Sequence, residues 1–136
     1  MIRYLLDTNI CIYIAKKKPI SVLKRFEKMK SGEVAMSTIT YGELLFCAEK
    51  SMHPEKTKAI IEEISHFIPT IPISSQVGEH YGNIRSYLEK NGTPIGNNDL
   101  WIAAHARALG IILVSNNTKE FTRVPHLKIE NWVSSL

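Results

Sequence analysis

Three carboxylates stand where local sequence would carry them toward one place. Asp7 directly follows the apolar run "IRYLL" (residues 2–6), Glu43 stands near the start of a helical pattern that follows "EVAMS", and Asp99 opens "GNNDLWIAAHARALG" (residues 96–110). Each has a purely local explanation. Asp7 can make an Asx-turn, Thr40 with Glu43 matches the capping box, and Asp99 with Asn97 and Asn98 can cap a helix. Caps, however, need no relation to one another. If these acids converge in a partly buried cleft, their like charges raise one another's pKa unless a cation sits among them. An all-oxygen ligand set without His or Cys selects a hard ion, Mg²⁺ or Mn²⁺, whose remaining positions go to water and phosphate oxygens. The chemistry implied is hydrolysis of a phosphoryl ester by metal-activated water.

The elements that would position these acids can be read from periodicity and punctuation. Residues 2–6 predict a strand, Thr8 and Asn9 a turn or cap, and "ICIYIAKKK" a helix. Pro19 restarts the chain as a second helix, "PISVLKRFEKMKSG", closed by Gly32. "EVAMS" predicts a second strand, with Ser37 or Thr38 capping a helix "ITYGELLFCAEKS" that carries Glu43 in its first turn. Pro54 opens another helix, with Ile60, Ile61, Ile64 and Phe67 at helical spacing. Two prolines demote "IPTIPI" to an edge strand or extended connection. A long helix follows from about Ser75 to Asn91, ended by Gly92. The apolar helix of residues 96–110 stops at Gly110, "IILVS" predicts a buried strand, and "LKIENW" a last short one. Strands separated by helices call for right-handed crossovers. The expected architecture is a single α/β domain over residues 1–136, three-layered, with a mainly parallel central sheet flanked by helices. Ligands bind outside the carboxyl ends of such strands, where Asp7 and Glu43 should lie; whether Asp99 joins them is left open by the pattern.

Composition sets wider bounds. The 136 residues suit one domain with a real core, and no repeat or low-complexity tract interrupts them. The N-terminus lacks the h-region of a signal peptide, and no apolar run is long enough to span a bilayer. Cys11 and Cys47 each sit in an apolar helical pattern and are expected as reduced core thiols, which suits a cytoplasmic protein. The net charge of +4 suits a polyanionic partner.

Five blocks, "LLDTNICIYI", "STITYGELLFCAEKS", "GTPIGNNDLWIAAHARALG", "LVSNNTKEF" and "RVPHLKIENW", resemble in order and spacing the PIN-domain ribonuclease toxins of the VapC group, from Met1 to Trp132. The resemblance implies a PIN-like fold and a Mg²⁺-dependent endoribonuclease, with Mn²⁺ as substitute. It also implies a catalytic, metal-binding cluster of Asp7, Glu43 and Asp99. Asp7 and Asp99 would hold the metal, Glu43 would be ligand, water-positioning base or both, and Asn98 would help shape the loop that delivers Asp99. Ser115 matches the hydroxyl residue that such proteins carry after the strand. Many carry a fourth acid where this chain has Asn117, so a second metal should bind more weakly or need the RNA phosphate; Glu120 could compensate from a first helical turn, but it reads more simply as a surface acid. The substrate class implied is structured RNA, with transfer RNA expected and translation as the process stopped. The partners implied are a VapB-type antitoxin that places a basic side chain among the acids, a second copy of the toxin, and a hetero-oligomer of both; no membrane is involved.

No residue is assigned to RNA binding. Lys16, Lys17, Lys18, Lys24, Arg25, Lys28 and Arg85 are candidates only if they share a patch, since each also reads as ordinary surface charge. His53, His66, His80, His105 and His126 lack metal-ligand spacing, and His105 reads as a core or interface residue. Trp101 and Trp132 read as packing. Two rival readings remain open: a phosphatase with Asp7 as nucleophile, disfavoured because Asn9 replaces the second aspartate such chemistry uses, and a degenerate PIN domain that binds RNA or protein without cutting.

Overall fold

The computed structural model describes residues 1–133. Its centre is a five-stranded sheet, all parallel, in the order β3-β2-β1-β4-β5: β1 (Tyr4–Leu6), β2 (Val34–Ser37), β3 (Thr70–Ile71), β4 (Ile112–Val114) and β5 (Ile129–Glu130). The helices are α1 (Thr8–Lys16), α2 (Ile20–Glu27), α3 (Thr38–Lys50), α4 (Pro54–Phe67), α5 (Ser75–Lys90), α6 (Asn97–Leu109) and the single turn α7 (Thr118–Phe121). Successive strand residues point to opposite faces. Tyr4, Leu6, Val34, Met36 and Val114 therefore pack with Ile10, Val22, Leu44 and Ile61 of α1 to α4, while Leu5 and Leu113 pack with Ile84, Ile102 and Phe121 of α5 to α7. This is the expected three-layer α/β architecture. Both faces of the central strands are covered, which is why those strands are apolar runs rather than alternating ones.

Several local expectations need correction. α2 ends at Glu27, and Gly32, with φ near +92°, instead shapes the turn before β2. α3 starts at Thr38, so Glu43 is its sixth residue and lies in the second turn. Ser37 is the cap, accepting from the amide of Ile39 at 3.1 Å, and Thr40 is buried inside the helix, so no capping box joins it to Glu43. Cys11 is a buried thiol as expected, whereas Cys47 is exposed. The edge position of "IPTIPI" holds, since β3 pairs only with β2. Among the described residues, no helix is long and apolar enough to cross a membrane.

Candidate active site

The parallel sheet brings the three sequence-identified acids to one pocket and adds a fourth. Asp7, Glu43, Asp99 and Glu120 line a polar cavity of about 430 Å³ together with Thr8, Asn9, Asn116 and Asn117. Asp7 follows β1, Asn116 and Asn117 follow β4, and Glu43 lies on the helix after β2, so the pocket opens at the carboxyl ends of the three central strands.

Asp7 is fixed by backbone on both sides. Its amide donates to the carbonyl of Val114 at 3.1 Å, extending the β1–β4 pairing by one residue, and its carboxylate caps α1 by accepting from the amide of Ile10 at 3.0 Å. The side chain is buried, and burial pushes its pKa up to about 6, with the charges of Asp99 and Glu43 adding to the rise; hydrogen bonds from the Ser115 hydroxyl and the Ile10 amide oppose it. Ser115 is itself buried, and its hydroxyl accepts from the amide of Asn117 at 2.9 Å, so one side chain steadies both Asp7 and the turn after β4.

Glu43 is held by two donors: the Thr8 hydroxyl on Oε1 and the Asn98 amide on Oε2 at 3.0 Å. Asp99 is half-buried, and burial followed by the charges of Glu120 and Glu43 raises its pKa, while Asn117 lowers it. The Asn117 amide nitrogen donates to Asp99 at 3.3 Å and to Glu120 at 3.1 Å. Asn117, where a fourth acid was missed, thus joins two acids instead of replacing one.

The asparagines before Asp99 do not cap. Gly96 is the N-cap of α6 and offers no side-chain bond; Asn97 accepts from the Tyr81 hydroxyl at 2.6 Å, Asn98 reaches Glu43, and Asp99 points to Asn117. All three side chains are committed to other elements. Tyr81, which stacks on Trp101 with ring centroids 3.9 Å apart, is a support that carries no motif and could not be picked out from sequence.

The donor set fits a hard divalent cation: four carboxylates, amide oxygens, and neither Cys nor His. Among the described residues no three Asp, Glu, His or Cys side chains are drawn tightly enough to clasp an ion alone. Their hydrogen bonds to Thr8, Asn98 and Asn117 stand in that place, and an ion would complete its shell with water or phosphate oxygens.

None of the basic candidates lines the pocket. Lys16 ends α1, about 13 Å along the axis from Asp7, Lys17 is its C-cap and Lys18 follows it, all at the end remote from Asp7. Arg25 pairs with Glu130 at 2.8 Å and lies over Trp132, and Arg85 pairs with Glu89 at 2.9 Å. Lys24 and Lys28 are exposed on and after α2. His105 is buried, its Nδ1 2.9 Å from the Ser37 hydroxyl, and burial lowers its pKa; it ties α6 to the start of α3. Trp132 is fully buried and packs edge-on against Tyr4.

A parallel sheet in this order, with helices on both faces and acids gathered at its carboxyl edge, is the arrangement of a PIN domain. The PIN domain family model matches residues 4–127, and the chain belongs to that family. Within it the chain is a VapC-type member. It is 47% identical to Ribonuclease VapC2 of Haemophilus influenzae strain Rd, across 98% of this chain and all of that protein. It is 43% identical to the tRNA(fMet)-specific endonuclease VapC of Shigella flexneri, across 97% of this chain and 99% of the other. DNA-bound VapBC of Salmonella typhimurium superposes with a TM-score of 0.91 at 39% identity, covering 97% and 99% of the two chains.

Proposed function

We propose that this chain is a divalent-metal-dependent endoribonuclease, the toxin of a toxin–antitoxin pair, and that Asp7, Glu43 and Asp99, aided by Glu120, form its catalytic cluster. One observation carries the proposal: four carboxylates from four separate segments line one pocket at the sheet's carboxyl edge, with no basic side chain among the described lining residues. Such a concentration of negative charge, beside which Asp7 already titrates near 6, has little structural use and suits a cation, Mg²⁺ or Mn²⁺.

Asp7 and Asp99 would hold that cation, which would supply Lewis acidity toward water and a phosphate oxygen. Asp7 is the rigid member, locked to β4 and to the first turn of α1. Glu43, oriented by Thr8 and Asn98, serves the attack as a ligand or as proton acceptor. Ser115 and Asn117 position Asp7, Asp99 and Glu120. The binding-module reading loses its motive, because the charge absent at Asn117 is supplied next to it by Glu120.

The substrate class we infer is transfer RNA, on the strength of the relatives named as tRNA(fMet)-specific endonucleases. A VapB-type antitoxin and a second copy of the chain are the inferred partners, in line with the VapBC complexes that superpose on it. The test is to incubate the purified chain, free of antitoxin, with total bacterial RNA and Mg²⁺ or Mn²⁺, beside Asp7→Ala and a chelator control, and to map new ends by sequencing. Discrete cuts that need both the metal and Asp7 are expected; cuts that persist in Asp7→Ala would refute the assignment.

A further inference from the structure

A second cavity of about 620 Å³ adjoins the acid pocket, shares Thr8, Asn9 and Glu43 with it, and is also lined by Asn98. Its floor belongs to α3. Glu43, Phe46 and Lys50 fall at i, i+3 and i+7, one stripe along a helix, which leads from the carboxylate pocket outward. Phe46 is 61% exposed, an unusual state for a phenylalanine on a helix whose Leu44 and Ala48 are buried in the core. The Lys50 ammonium lies 4.4 Å from the centre of its ring, and among the described residues Lys50 makes no ion pair. Gly42 also lines this cavity, and a Cβ built there meets nothing within 4 Å. The helix therefore carries its least favourable ordinary residue where a side chain would protrude only into the cavity.

An exposed aromatic ring with a cation over one of its faces, next to a carboxylate pocket, matches a nucleotide: the opposite face suits a base and the ammonium suits a phosphate. Every base has a π-face, so aromatic stacking is a sequence-tolerant hold on single-stranded nucleic acid. We infer that the Phe46 cavity receives an unpaired base of the RNA flanking the scissile phosphate, with Phe46 as its stacking platform, Lys50 beside the next phosphate and Gly42 keeping the space open. The inference rests on the proposed nuclease site, because only a phosphodiester held at Glu43 would bring the neighbouring base here. It implies that the bond cut lies in a loop or other unpaired segment, where a base is free to leave its own stack.

The test measures binding and cleavage separately. Binding is read as the anisotropy of a short fluorescein-labelled single-stranded oligoribonucleotide in Ca²⁺, and cleavage as kcat and KM on bulk transfer RNA in Mg²⁺. Phe46→Leu, which keeps apolar bulk without a π-face, should weaken binding by about five- to a hundredfold and raise KM more than it lowers kcat. Phe46→Tyr should stay within about twofold of wild type. Gly42→Ala should weaken binding while leaving the unfolding midpoint unchanged or higher, which separates occlusion from misfolding. The Mg²⁺ midpoint should not move in any of them. Wild-type binding and cleavage by Phe46→Leu would overturn the inference. So would variants that keep RNA binding but no longer bind a purified VapB-type antitoxin, since the surface would then belong to a protein partner. A wild type that binds RNA through Phe46 but never cuts it would sustain the platform and defeat the nuclease reading.

Discussion

Two helix starts deliver acids to the same pocket in different ways. At α1 the acid is the cap: Asp7 closes the first turn with its own carboxylate, is buried, and is tied through its amide to Val114. At α6 the cap is Gly96, with no side-chain bond, and Asp99 is the third helical residue, half-buried and steadied by Asn117. A carboxylate that caps takes its orientation first from local backbone geometry, which the remote Val114 and Ser115 here reinforce. One that does not cap depends on residues far away in sequence, here Tyr81 through Asn97, Glu43 through Asn98, and Asn117 directly. α6 starts with three side chains whose types suit capping, and each is used to join elements instead.

The contrast can be broken most sharply at Asp7. Asp7→Asn keeps a capping side chain but removes the charge, so cleavage should fall at least about a hundredfold. Stability should move the other way. The folded carboxyl titrates near 6 against an ordinary value of 3.8, so between those values the folded chain holds a proton that the unfolded chain has released. The metal-free wild type should therefore lose stability as pH rises from about 4 to about 6, by up to about 3 kcal/mol from Asp7, and Asp7→Asn should lose less, the remainder coming from the raised Asp99. Thermal unfolding of both proteins at pH 4 and pH 7, with and without Mg²⁺, checks this; at pH 7 Mg²⁺ should raise the wild-type midpoint and leave that of Asp7→Asn nearly unchanged.

Asn117→Asp attacks the other start. It removes the donor shared by Asp99 and Glu120 and adds a charge between them, so the metal-free protein should be less stable and the Mg²⁺ midpoint for cleavage lower, by about tenfold. An unchanged midpoint would mean that Asn117 and Glu120 lie outside the ion's reach. Tyr81→Phe takes away only the hydroxyl that grips Asn97; it should cost about 1 kcal/mol in denaturant unfolding and lower kcat by a few fold. The smallest effect is expected at Gly96. Its backbone is extended and a Cβ there meets nothing, so Gly96→Ser should supply the missing cap and add a few tenths of a kcal/mol without changing activity.

The same contrast explains what could be read from sequence. Asp7 was legible because an acid directly after an apolar strand is placed by the chain itself, and the three-layer sheet followed from strands spaced by helices. The role of Asn97, Asn98 and Asp99 was not, because a cap depends on where the backbone turns, and partners such as Tyr81 are remote. Thr40 and Glu43 satisfied the capping-box spacing, but α3 begins three residues earlier than that motif requires. Glu120 could be taken for a surface acid until the short α7 turned it toward Asp99. Cys47 fitted the apolar pattern of its helix, yet it stands on the side of α3 that faces the Phe46 cavity rather than the core.

The tie between β1 and β4 has a consequence for when the acid pocket comes into being. Tyr4 pairs with Ile112 and Leu6 with Val114, partners more than a hundred residues apart, and the amide of Asp7 reaches β4 through that same ladder. A ribosome must release nearly the entire sequence before the first acid can meet the segment that carries Ser115, Asn117 and Glu120. A nascent or prematurely terminated chain that lacks β4 accordingly lacks the assembled acid pocket, so the site exists only once synthesis is almost finished.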